Sequence, residues 1–157
     1  MSNIEYFTIF KAITCEYACV FGISYNITEI PSGHTNVIFR HGSSFQILAG
    51  GQNSTVYWFY FEKLDKKYSE PDIPRFTEED TVKTCEEQLD VIIAEDVTFR
   101  KLWMNRKSAV KVPIEEGLIS RWHYGRIAVL GDAANKVNVR RTQSSEVTAI
   151  DTDIFFY

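Results

Sequence analysis

Histidine and cysteine are scarce in this chain, with His34, His41 and His123 scattered singly and only Cys15, Cys19 and Cys85 among the thiols. A zinc site needs three or four such ligands at close spacing, so no metal centre is expected, and an odd set of cysteines gives no disulfide framework. Cys15 and Cys19 lie four apart in an apolar stretch and share one side of a strand; buried, reduced thiols are the expected state of all three. Long uninterrupted apolar runs are also lacking. The opening MSNIEYFTIFKAITCEYACVFGIS is broken by Glu5, Lys11 and Glu16 and has neither a basic start nor a small-residue cleavage site, so neither a leader nor a spanning helix is expected. The sequons at Asn26 and Asn53 are therefore expected to be unmodified, and the chain to act inside the cell, in the cytoplasm or held at a membrane by a segment that this sequence does not contain. Positive charge is in deficit: 17 Lys and Arg against 21 Asp and Glu leave a net charge of -4. Binding to nucleic acid or anionic lipid needs clustered cations that displace counterions, so neither is an expected partner. No G-x-S-x-G nucleophile turn occurs.

What is present suits a folded domain. At 157 residues, with 45% hydrophobic, 14% aromatic and 24% charged residues, one domain with a sizeable core is expected. CEYACVFGIS, TNVIFRH, SFQILAG and STVYWFYFEK read as strands, separated by Pro31-Ser32-Gly33, Gly42-Ser43 and Gly50-Gly51-Gln52-Asn53, which carry the turn chemistry of short antiparallel connections. Along the last of these, Val56, Trp58 and Tyr60 alternate with Tyr57, Phe59 and Phe61, so both faces are expected to be covered, as in a central strand or a cavity wall. Residues 63–76, with Pro71, Pro74 and many charges, read as an exposed connection. Thr77 is an N-cap candidate followed by Glu78, Glu79 and Asp80, and Val82, Cys85, Leu89 and Ile92 recur at helical spacing to form a buried stripe. A short helix over 98–103 and a strand over 107–115 complete an α+β pattern without internal repeats.

The stretch RWHYGRIAVLGDAANK carries the chemistry. Ile127, Ala128, Val129 and Leu130 form an unbroken apolar run, as in a strand buried on both faces of a parallel sheet. Gly131-Asp132 ends it, where a carboxylate at a strand's carboxyl end can accept hydrogen bonds from the hydroxyls of a ribose or ribitol chain. Ala133 and Ala134 leave room for close approach of a phosphate to the backbone that follows. Alone, such a strand end is more often a simple turn than a cofactor site.

The pattern W-x-x-G-R-I-x-V-L-G-D-A-A-x-K resembles the GD motif of the aromatic-hydroxylase-like FAD-dependent monooxygenases. EYACVFGIS, VYWFYFEKLDKKY, PDIPRFTEED and EDVTFRKLWMNR resemble, in the same order, the middle region of the fungal paxilline-type branch, whose members epoxidise or hydroxylate terpenoids such as indole diterpenes. The resemblance covers about residues 16–136. It implies an antiparallel substrate-domain sheet with helices over 1–115, a GD-motif strand of the FAD-binding α/β domain over 116–136 and a divergent tail over 137–157. It also implies FAD as cofactor, NADPH as reductant and an apolar terpenoid-like substrate that receives one oxygen atom of dioxygen. Asp132 would meet the FAD ribitol, with Gly131 and Ala133 beside it and Arg126 anchoring the strand entry. Tyr17 would stand in the substrate cavity near the flavin ring, although a strand tyrosine with a satisfied hydroxyl is the commoner arrangement. Trp58, Phe59 and Trp122 would line an apolar pocket or serve simply as aromatic core.

The family pattern breaks at Asn135, after which no Pro or Gly occurs, and the G-x-G-x-x-G turn that cradles the FAD pyrophosphate is not in the sequence. Truncation at both ends is the resulting expectation. The alternatives to a working oxygenase are a non-catalytic remnant unable to bind FAD alone and an unrelated α+β module with an apolar groove.

Overall fold

The computed structural model describes residues 13–50, 53–118, 123, 124, 126–128, 130, 131, 135 and 136. Ten strands and two helices occur among them: β1 (Ile13–Ser24), β2 (Thr35–Arg40), β3 (Ser43–Ala49), β4 (Val56–Ser69), α1 (Glu78–Glu86), β5 (Ile92–Ala94), β6 (Val97–Thr98), α2 (Phe99–Met104), β7 (Arg106–Leu118), β8 (His123–Tyr124), β9 (Ile127–Ala128) and β10 (Asn135–Lys136). Six strands form one sheet in the order β10-β7-β1-β4-β3-β2, and the pairings β2–β3, β3–β4 and β7–β10 are antiparallel. The fold is thus a mostly antiparallel sheet with two short helices.

Two compact units divide the chain, and β1, β4 and β7 contribute residues to both. The larger comprises Tyr17–Leu64 and Arg75–Pro113. Its β2–β3–β4 meander turns first at Gly42, whose φ of 74° is the left-handed conformation that glycine adopts without steric cost, and pairs Phe45 with Tyr60 and Ile47 with Trp58. Successive strand residues point to opposite faces. Accordingly Val56, Trp58 and Tyr60 of β4 are buried together with Phe45 and Ile47 of β3 and Val20 of β1. They pack with Cys85 of α1 and with Phe99, Leu102 and Trp103 of α2 in one core cluster. Phe99 fixes the contact of α2 with the sheet, its ring centroid lying 4.9 Å from that of Trp58 and 5.0 Å from that of Phe45. The expected N-cap is present: the Thr77 hydroxyl accepts from the Asp80 N–H at 3.2 Å while the Thr77 N–H donates to the Asp80 carboxylate at 2.8 Å.

The smaller unit comprises Met1–Glu16, Asp65–Pro74 and Ile114–Tyr157. Its described strands carry ion pairs between exposed lysines and partly buried glutamates, Lys67 to Glu16 at 3.2 Å and Lys136 to Glu115 at 2.7 Å. Here β8 and β9 form a short antiparallel pair, with His123 opposite Ala128.

Four expectations are corrected. β4 does not stop near Leu64 but runs to Ser69, because charged side chains resist burial without preventing backbone pairing. Only one face of β4 is fully covered: both helices pack on the Trp58 side, leaving Tyr57 45% exposed. The helical stripe ends early, since α1 stops at Glu86 and Ile92 lies in β5 at 67% exposure, with Ile93 buried in its place. The apolar run at Ile127 is not an interior parallel strand, for β9 pairs antiparallel with β8 and Ile127 is 70% exposed. Burial on both faces requires neighbouring parallel strands under crossover helices, and the described residues provide none.

Candidate functional site

The odd-numbered residues of β1 and β4 face away from the helices, and this face is rich in aromatic side chains. On β1 it presents Tyr17, Cys19, Phe21 and Ile23; on β4, Tyr57, Phe59 and Phe61. The Phe21 and Phe59 rings meet edge to face, with centroids 5.3 Å apart and planes at 83°, and Phe59 stacks toward Phe61 at 6.5 Å. Edge-to-face contact sets the positive rim of one ring against the negative face of the other, giving the pair a preferred geometry. Phe21 remains 42% exposed, so the pair is a surface feature and not core. Register carries the same face across the sheet: Leu48 stands opposite Tyr57, Gln46 opposite Phe59, and Val37 opposite Gln46. Phe21, Val37 and Tyr57 are its exposed apolar members, while Cys19 and Phe61 are buried. Burial pushes the Cys19 thiol well above the ordinary thiol range, so it adds no charge to this face.

Tyr17 is half-buried on the same side of β1 as Phe21, four residues away and about 13 Å along the strand at roughly 3.3 Å per residue. Phe59 shares that face, whereas Trp58, fully buried, belongs to the core on the other side. Trp122, Asp132 and Ala133 lie outside the described residues. Arg126 is exposed in the turn between β8 and β9. Gly131 has φ 59°, and a Cβ built there would meet nothing within 4 Å. Such a backbone admits close approach of a ligand. The sequence has no G-x-G-x-x-G turn to hold a pyrophosphate, so the residues of this chain do not by themselves make up a whole FAD site.

Among the described residues no group of three or more His, Cys, Asp or Glu could hold a metal ion, and no helix is long and apolar enough to cross a membrane. The grooves beside α1 and α2 are lined mainly by charged and polar residues, Glu78, Lys83 and Glu86 in the first and Glu29, Arg100 and Lys101 in the second, and both open to solvent. Neither belongs to the aromatic face. Phe21 and Tyr57 were not singled out as site residues by sequence reasoning. The available signal was Gly22 beside Phe21: a small residue in a strand marks a close approach on one face and leaves its neighbours on the other.

The chain is homologous to part of the FAD-dependent monooxygenases of fungi. It is 39% identical over 141 residues to the FAD-dependent monooxygenase penE of Penicillium thymicola, 36% over 142 residues to janM of Penicillium janthinellum, and 33% over 144 residues to ausM of Penicillium brasilianum. These alignments cover 90%, 90% and 92% of this chain but 30% of each relative, so the chain spans about a third of their length. No family profile matches it. Among solved structures, Klebsiella pneumoniae HpxO complexed with FAD superposes with a TM-score of 0.56 at 19% identity, covering 78% of this chain and 31% of that one. Tetracycline destructase Tet(51) gives 0.51 at 10% identity, over 79% and 32%. The fold is therefore similar to that of a part of each of these two proteins.

Proposed function

We propose that this chain supplies the sheet that walls the substrate cavity of an FAD-dependent monooxygenase, and that the Phe21–Phe59 face receives an apolar, terpenoid-like substrate. The partly exposed aromatic patch carries the reading, because Phe21, Tyr57 and Val37 leave apolar area open to solvent beside the Phe21–Phe59 pair, and apolar area of that kind is what an apolar ligand needs. Tyr17 would border the cavity. Asp132, flanked by Gly131 and Ala133 and with Arg126 at the strand entry, would meet the ribitol of FAD, and NADPH would reduce the flavin. The cofactor supplies the oxygen-activating chemistry, and the sheet contributes a dry surface and orientation.

Farnesol, titrated into the aromatic-labelled chain and followed by NMR, tests the face. Shifts should concentrate on Phe21, Tyr57 and Phe59, and Phe21→Ala should weaken binding about tenfold, corresponding to about 1.4 kcal/mol. Farnesol binding that ignores this substitution would refute the cavity assignment. A second reading, a chain that keeps the sheet but holds no flavin by itself, is favoured by the missing pyrophosphate turn. FAD titration followed by flavin fluorescence separates the two: quenching that weakens in Asp132→Ala supports cofactor contact, and no quenching supports the second reading.

A further inference from the structure

Behind the Phe21–Phe59 pair, on the core side of the same two strands, lies a short chain of hydrogen bonds. The Trp58 Nε1–H donates to Ser24 Oγ at 2.9 Å, and the Ser24 hydroxyl donates to the Leu102 carbonyl of α2 at 2.7 Å. Trp58 and Ser24 are both fully buried, and each has a single side-chain donor, so the direction of the chain is fixed. The indole lies over Gly22, where a Cβ would be 2.0 Å from Cζ2. Phe21 precedes that glycine and Phe59 follows that tryptophan, each pointing to the opposite face. β1 and β4 are hydrogen-bonded neighbours whose separation the backbone ladder sets, while the indole packed against Gly22 bears on the local twist of the two strands from which the phenyl rings project on the far side.

We propose that Ser24 is a positioning residue for the aromatic face: by fixing the Trp58 indole over Gly22 and tying it to α2, it holds Phe21 and Phe59 in the edge-to-face arrangement that shapes the apolar site. The proposal rests on the reading of this face as a substrate wall. It is tested on the full 157-residue chain by two measurements, the NOE between the Phe21 and Phe59 rings without ligand, and the farnesol Kd. Ser24→Ala removes the indole's acceptor and should abolish the NOE and raise the Kd at least fivefold at a temperature where the amide spectrum remains native. Ser24→Thr, which keeps a hydroxyl, should restore both to within twofold. A folded Ser24→Ala chain with the NOE and Kd of the parent would overturn the proposal and leave Ser24 a core-stabilising residue only. Should Ser24→Ala fail to fold, Trp58→Phe removes the donor while sparing the Ser24–Leu102 bond; unchanged ring geometry in that variant overturns the proposal equally. A parent chain that binds no farnesol refutes the cavity reading alone, since the NOE still decides the role of Ser24.

Discussion

Gly22 illustrates how one residue can be required by its neighbour and not by its own backbone. It is buried within β1, its dihedral angles need no glycine, and yet any Cβ would overlap the Trp58 ring. Gly22→Ala forces either the indole or the strand to move, and because the indole is held by Ser24 and packed on Phe99, neither yields easily. Overpacking of this kind costs about 3 kcal/mol, near the upper end for a single added methyl. Urea unfolding should show a lower midpoint with an unchanged slope, and Gly22→Ala combined with Trp58→Leu should recover part of the loss. A neutral Gly22→Ala would mean that the close contact is not maintained in solution. Among the described residues no buried side-chain N or O lacks a partner, so the core tolerates little rearrangement of its few polar groups.

At the scale of elements, α1 is held at its start by its cap and along its length by one buried cation. Thr77→Ala removes the hydroxyl that accepts from the Asp80 N–H and should cost about 1 kcal/mol by denaturant titration. Lys111 of β7 reaches beneath the helix with its side chain 8% exposed, and its ammonium pairs with Glu62, donates to the Thr84 hydroxyl at 2.7 Å and lies 4.5 Å from the centre of the Phe76 ring. Glu62→Gln would leave that charge without its counter-ion and should cost about 3 kcal/mol, whereas Glu62→Leu with Lys111→Met should cost much less, because the desolvation of both charges is removed together. Equal losses in the two variants would place the pair in solvent. The cap was legible because Thr-Glu-Glu-Asp is a local signal, and the β2–β3–β4 strands were legible because alternation and turn residues agree over short spans. The length of β4 beyond Leu64, the early end of α1 and the exposure of Ile127 were not, since each depends on which other element happens to lie alongside. The aromatic face was half legible: the alternation in VYWFYF announced two apolar surfaces, but only the placement of both helices on the Trp58 side determined which of them stays open.

Over the whole molecule, the same burial that builds the core sets how stability responds to alkali. Burial, with a smaller contribution from the Glu62 carboxylate, pushes the Cys85 thiol from 9.0 to about 12 against the opposing influence of Arg106 and Lys111. Burial likewise raises the Tyr60 hydroxyl from 10.0 to about 12, and Cys19 moves in the same direction. Each of these groups holds its proton more tightly folded than unfolded, so the unfolded chain releases protons first as pH rises. Their stabilising effect is complete below pH 9 and declines as pH passes first the unfolded and then the folded values, at up to about 1.4 kcal/mol per pH unit for each group inside its window. Urea midpoints measured from pH 7 to 11 should accordingly be level up to about pH 9 and then fall with increasing slope, and Cys85→Ala should make that fall shallower while lowering the plateau through the cavity it leaves. A profile that stays flat to pH 11 would show that the thiols and Tyr60 ionise freely in the folded chain, and with it that the sheet-and-helix core is open to water. A core in that condition could not hold the indole of Trp58 in place or keep the Phe21–Phe59 face in one shape, so the alkaline profile tests the scaffold on which the substrate-wall reading stands.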